Sequence, residues 1–204
     1  MFSLPLSVAL LTLLTVLLLL GLGQRVLDRM RLTDAEAVII LLLMIGGHFL
    51  PTISLTPRIA LNLGGLIPFG VGIYLLVTAS TQERLRAVGV TLVTAALIWL
   101  SDKFLPLQPG LLDPVFSGGF FAGLTATIWG RSRRSAFTAG LLGVLLVDAT
   151  SMLQLWLQGL EERITLGSGG LFSSVVLSSF LAVALTEVIG EVREAIHLGG
   201  NRDG

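Results

Sequence analysis

Cysteine is absent from this 204-residue chain, tyrosine occurs once and histidine twice. Without a thiol there is no disulfide, no thiol nucleophile and no thiolate metal site. The two imidazoles, His48 and His197, fall on opposite sides of the topology read below, and no His-x-x-x-His spacing occurs, so no metal centre is expected. A Gly-x-Ser-x-Gly nucleophile elbow is missing too. Charge is equally scarce: 13% of residues are charged, and thirteen basic side chains balance thirteen acidic ones. No Lys/Arg block is long enough to hold a nucleic acid. No cofactor is implied.

What the chain has in abundance is apolar sequence, at 53% of residues and a mean hydropathy of +0.90. A bilayer core about 30 Å thick takes about 20 apolar residues per helical crossing. Seven stretches qualify, at 4–23, 35–50, 57–79, 82–105, 114–130, 136–158 and 169–190. The expected fold class is therefore all-α, a polytopic integral membrane helical bundle of seven transmembrane helices. Residues 1–198 form one transmembrane domain and 199–204 a flexible tail. The first run lacks the basic n-region of a signal peptide and is followed by three arginines, so it reads as a retained helix. Ten basic residues, Arg25, Arg29, Arg31, Arg84, Arg86, Arg131, Arg133, Arg134, Arg193 and Arg202, fall on one side of this topology, and Arg58, Lys103 and Arg163 on the other. The positive-inside rule then puts the amino terminus outside and the carboxyl terminus in the cytoplasm, in a multi-pass protein of the cell inner (cytoplasmic) membrane. The partners expected are the lipid bilayer and either another membrane protein or further copies of this chain.

Helix starts carry their own punctuation. Thr33-Asp34-Ala35-Glu36 fits a capping box, which makes Glu36 a cap rather than an intramembrane charge, and Ser80 with Glu83 repeats the pattern. Thr56-Pro57 and Asp113-Pro114 each place a capping side chain before a proline at the first helical position. Glycine pairs recur at Gly64-Gly65, Gly118-Gly119 and Gly169-Gly170, spaced 54 and 51 residues apart, with a fourth at Gly46-Gly47. Glycine lets helix backbones approach closely in lipid, and a binding role is compatible with that.

The heptad Asn62-Leu63-Gly64-Gly65-Leu66-Ile67-Pro68 reads as a helix broken inside the membrane, with Pro68 unable to donate to the carbonyl of Gly64. Broken helices of this kind are where transporters hold substrates or ions, and the alternative is a simple proline kink. Asp148 lies twelve residues into the sixth span among apolar neighbours. A carboxyl there must be protonated, paired or hydrated from a cavity, and an intramembrane acid is a functional candidate by default. Asp148 is expected near the bilayer midplane, and His48, Asn62, Asp102, Gln154 and Gln158 gather on the outer half, with the serines of the seventh span reaching deeper, which points to a polar cavity opening outward. Asn62, Gly64, Gly65, Asp148 and Ser173 are the candidate ligand-binding residues, and His48, Asp102 and Gln154 the candidate cavity lining.

Asn62, Gly64, Gly65 and Pro68 match the Asn-x-Gly-Gly and proline pattern of a prokaryotic membrane-protein family known as domain of unknown function sixteen-fourteen, which this chain resembles from about residue 35 to 190. The family's Gly-Ala-Asp in the sixth span corresponds to Val147-Asp148-Ala149, with the acid one place off. In the family's glycine-rich seventh span Gly167, Gly170 and Phe172 match, while Ser173 stands where the family has an acid. The resemblance implies a divergent member and carries over no role that needs the second acid. Three classes of function follow from the residues. The first is a carrier or binding protein for an ion or small solute; the second is a non-enzymatic membrane subunit or assembly factor; the third is an intramembrane aspartyl protease, which needs two carboxyls sharing a proton.

Overall fold

The computed structural model describes residues 9, 12–13, 15–16, 28, 30–47, 49–54, 59–104, 114–130, 132–158, 164–166 and 169–199, with the backbone alone for 59, 61, 114–116, 130, 155, 164–166, 169–174 and 197–199. Most of the first expected span, the tail beyond 199, His48, the Thr56-Pro57 pair, Asp113 and the side chain of Ser173 lie outside this description.

The described residues form a helical bundle with a small sheet at one end. The helices are α1 (Asp34–Gly47), α2 (Leu63–Val77), α3 (Thr81–Phe104), α4 (Pro114–Thr125), α5 (Arg133–Leu157) and α6 (Gly169–Gly199), and α4 runs on into a π-helical turn at Ala126–Gly130. Three segments are long and apolar enough to cross a membrane, Thr81–Phe104, Arg133–Gln154 and Val175–Ile196, while α2 is a shorter apolar helix. These three make the chain consistent with a membrane protein.

The fold is all-helical as expected, with one addition: a small sheet. β1 (Thr52–Ser54), β2 (Ile59–Asn62) and β3 (Ile164–Leu166) form a three-stranded sheet, antiparallel between β1 and β2 and parallel between β2 and β3. The expected span at 57–79 therefore begins as a strand, and its helix starts only at Leu63. The heptad is accordingly a helix start and not a break. Asn62 is the N-cap, its side-chain oxygen accepting from Gly64 N at 2.8 Å, and Pro68 lies inside an uninterrupted helix. The parallel pairing also aligns an internal repeat. Ile59 faces Ile164 and Leu61 faces Leu166, so that Gly64-Gly65 and Gly169-Gly170 follow at the same distance down the chain.

Small residues bring the helices together. A Cβ on Gly64 would strike the carbonyl oxygen of Gly47, which joins the end of α1 to the start of α2. A Cβ on Gly118 would meet Ser178 Oγ and Val144 Cγ2 at 2.8 Å, and one on Gly119 would meet Leu181 at 2.7 Å. Gly140 is tightest, because its Cβ would lie 2.6 Å from Ser179 Cα and 3.0 Å from the Ser178 carbonyl, both backbone atoms of α6. Close backbone approach is the means by which helices associate where lipid competes equally for apolar side chains. Hydroxyls buried at these crossings satisfy themselves locally: Thr125 Oγ1 donates to Phe121 O at 2.6 Å and lies 2.9 Å from Thr94 Oγ1, and Ser179 Oγ donates to Val176 O at 2.7 Å.

Candidate functional site

Two ends of the bundle carry polar groups, and they are built differently. At the end where α1, α3 and α5 begin, the arginine end, Thr33 and Glu36 close the expected capping box. Thr33 N donates to Glu36 Oε2 at 2.8 Å and Glu36 N to Thr33 Oγ1 at 3.2 Å. Tyr74 Oη reaches across from α2 to donate to Glu36 Oε1 at 2.7 Å. Glu83 N donates to Ser80 Oγ at 3.4 Å, but the Glu83 carboxylate turns to Arg31 and Ser132, at 3.3 and 3.2 Å.

Arg134 is the residue whose place there the sequence did not disclose. It is 4% exposed and sits under the last turn of α2, donating to the Leu75 carbonyl from Nε at 3.2 Å and Nη2 at 2.9 Å, with Thr78 Oγ1 also in contact. Arg84 binds the next carbonyls, Leu76 at 2.9 Å and Val77 at 2.8 Å. The last carbonyls of a helix have no intrahelical donor and carry the negative end of its dipole. Two guanidinium groups satisfy them on α2, whose 15 residues give a length of about 22 Å, short of the bilayer core. Arg133 completes the cluster by pairing with Glu187 of α6 at 2.8 Å. The signal available in the sequence was the doublet Arg133-Arg134 immediately after the N-cap Ser132.

At the opposite, sheet end, the expected site residues divide into two groups. Asn62 and Gly65 border a pocket of about 440 Å³ between α2, α3 and α5, whose wall is otherwise almost wholly apolar. Gly64 is engaged with Gly47 and does not line it. Asp148 lies on α5 beside Ala149 of that pocket but on another side of the helix, one turn beyond Val144, which packs on Gly118 of α4. The Asp148 carboxyl is half-buried, and its Oδ2 atom has no hydrogen-bond partner. Asp102, exposed on α3, is near enough for its charge to act on Asp148. Lys103, next to Asp102, lies over the Trp99 ring at 5.8 Å. Gln154 is half-buried on α5, and no described hydrogen bond joins its side chain to Asp148. Among the described residues no group of three or more His, Asp or Glu side chains could hold a metal ion. The two cavities found among the described residues have apolar linings, whereas the sequence pointed to a polar one. The reason is that Ser178 and Ser179 are fully buried in contact with Gly118 and Gly140 instead of facing open space.

A second internal repeat ties α3 to α5. Gly89-Val90-Thr91-Leu92-Val93-Thr94-Ala95 and Gly143-Val144-Leu145-Leu146-Val147-Asp148-Ala149 agree at five of seven positions, at the same 54-residue offset as the glycine pairs of α2 and α4. Asp148 takes the place of Thr94, which is buried against Thr125.

A family model described as Protein of unknown function (DUF1614) matches residues 24–185. No curated protein and no solved structure matches the chain.

Proposed function

This chain belongs to the DUF1614 family, and from that premise we propose that it is a multi-pass carrier or binding protein for a proton or small monovalent cation, with Asp148 as the responsive group. The supporting observation is the Asp148 carboxyl itself, half-buried on a helix long and apolar enough to cross a membrane and without a hydrogen bond at Oδ2. An acid held this way attracts a positive charge, because an unpartnered carboxylate out of water is costly and a bound proton or cation relieves the cost. In this reading the chain crosses the cytoplasmic membrane seven times with its arginine end toward the cytoplasm, as the ten-to-three partition of basic residues favours.

The other two classes have less support. Of the glycines that an assembly factor would offer to a partner, Gly47, Gly64, Gly118 and Gly119 are packed against the chain's own helices, while Gly46 is open. None of the described hydrogen bonds joins Asp148 to Asp102, so the proton-sharing pair of an aspartyl protease has no counterpart there. The test is flux in reconstituted vesicles carrying an entrapped pH-sensitive dye, with imposed sodium, potassium or proton gradients. Wild-type protein should dissipate at least one of these gradients, and Asp148→Asn should slow that at least tenfold. Equal rates in the two preparations would remove Asp148 from the role.

A further inference from the structure

Resting on the reading of Asp148 as the responsive group, we infer that its occupant is a proton and not a metal cation, and that the carboxyl is a site of modification by lipid-soluble carbodiimides. The elements packed on α5 bring Asp148 almost no charge of either sign. α2 has Tyr74 as its one ionisable side chain, bonded to Glu36 at the arginine end, α4 has none, and α6 has none before Glu187. Glu187 is paired with Arg133, which stands fifteen residues from Asp148 along α5, about 22 Å away. On α3, Glu83, Arg84 and Arg86 belong to its start at the arginine end, which leaves Asp102 and Lys103 in its last turn. Both are exposed, and Lys103 lies over the Trp99 ring. Neither described ion pair, Arg31 with Glu83 or Arg133 with Glu187, involves Asp148. A carboxyl drawn out of water without a counter-cation is neutralised at least cost by taking up a proton.

A metal cation needs more than a negative charge. Stripped of its water, it takes a shell of several oxygens. One turn away from Asp148 on α5 stand Val144 and Leu145 on one side and Ser151 and Met152 on the other, and Ser151 is exposed. The helix runs unbroken from Arg133 to Leu157, so its carbonyls are engaged along the ladder, and the Thr150 hydroxyl donates to one of them, Val147 O, at 2.8 Å. Among the described residues no three His, Asp or Glu side chains gather to hold a metal. What the site offers is one acceptor atom, Oδ2, without a hydrogen-bond partner. A single carboxyl oxygen is enough to carry a proton.

The same placement makes the group reactive, because α5 is long and apolar enough to cross a membrane and a reagent dissolved in hydrocarbon reaches it there. The carboxylic O–H adds across one C=N bond of a carbodiimide. The carboxyl oxygen bonds to the central carbon, the proton passes to nitrogen, and the O-acylisourea rearranges to a stable N-acylurea with nothing released. A carboxylate holding a metal ion has no proton to give and does not react.

The experiment treats the purified full chain in vesicles with dicyclohexylcarbodiimide and maps the adduct by mass spectrometry. The adduct should fall on the α5 peptide containing Asp148, increase at least fivefold as the pH is lowered from about 9 to about 6, and be absent from Asp148→Asn. Sodium, potassium or lithium chloride added at constant pH should leave it unchanged. Infrared spectra of the same vesicles supply a readout that reagent access does not affect: as the pH falls, an acid carbonyl band should replace carboxylate bands in wild type and not in Asp148→Asn. Protection by any of the three cations at constant pH would overturn the inference in favour of a metal ion while leaving the carrier reading in place. Spectra in which Asp148 stays a carboxylate down to about pH 5 would overturn it as well. Equal proton flux in wild type and Asp148→Asn, with adduct and band as expected, would uphold the proton site and overturn only the carrier reading.

Discussion

The arginine end and the sheet end of this bundle differ in how their buried charges are met. At the arginine end the guanidinium of Arg134 is buried and satisfied by carbonyls of α2, Arg133 meets Glu187, and Glu36 is shared between its own cap and Tyr74, although Arg133 Nη2 and Ser135 Oγ are buried without a hydrogen-bond partner. At the sheet end a half-buried acid keeps one oxygen without a partner, and a pocket of hydrocarbon lining lies on another side of its helix. Both ends therefore hold a buried polar atom without a partner, and what differs is that Arg133 and Arg134 each meet a carboxylate or helix carbonyls elsewhere on their guanidinium groups, whereas no described hydrogen bond reaches Oδ2 of Asp148. A charge met by an opposite charge or by helix carbonyls specifies a structure, whereas a polar atom buried without a partner lowers stability.

The largest effect should come from the arginine end. Arg134→Ala orphans the Leu75 carbonyl and removes charge-assisted bonds worth about 1.5–3 kcal/mol each, so a loss of about 3–5 kcal/mol is expected. Thermal unfolding in detergent, followed by size-exclusion fluorescence, reads it directly, and Arg134→Lys should recover only part because it lacks the fork. Next in size is Gly140→Ala, whose new methyl group meets α6 backbone and cannot be relieved by a rotamer change. A cost of about 1–3 kcal/mol is expected in the same assay, and a neutral outcome would mean that α5 and α6 are farther apart than described. Thr33→Ala, which opens the capping box, should cost about 1 kcal/mol. The smallest change is expected at the sheet end: Asn62→Asp keeps an oxygen for Gly64 N, so its stability should match wild type within about 0.5 kcal/mol, whereas Asn62→Ala should lose about 1 kcal/mol.

How much of this was readable in the residues follows from the range of each interaction. The capping box at Thr33 is local, three residues wide, and the structure closes it as the spacing predicts. The spans expected at 82–105, 114–130 and 136–158 fall within three residues of α3, of α4 with its π turn, and of α5, because long apolar segments bounded by polar residues have sharp ends. The sheet was not readable. Ile59–Asn62 is an apolar run continuous with the helix after it, and a short run of that kind fits either a strand or a helix until its partner is known. That partner, Ile164–Leu166, is 105 residues away. Asn62 drew notice as a site residue through its glycine-rich surroundings, and those surroundings turned out to be a cap and a helix contact. Arg134 was counted only as a cytoplasmic charge, since sequence does not show whether an arginine at a helix start reaches outward to water or inward under a neighbouring helix.

The comparison is tested most directly by the thermal unfolding of Asp148→Asn beside Arg134→Ala, in one detergent at one pH. Asp148→Asn should melt at or above the wild-type temperature, because the half-buried acid it replaces has an unpartnered oxygen, while Arg134→Ala should melt far below it. A loss of stability in Asp148→Asn as large as that in Arg134→Ala would contradict the account, since it would make Asp148 a structural member of the bundle like the arginine.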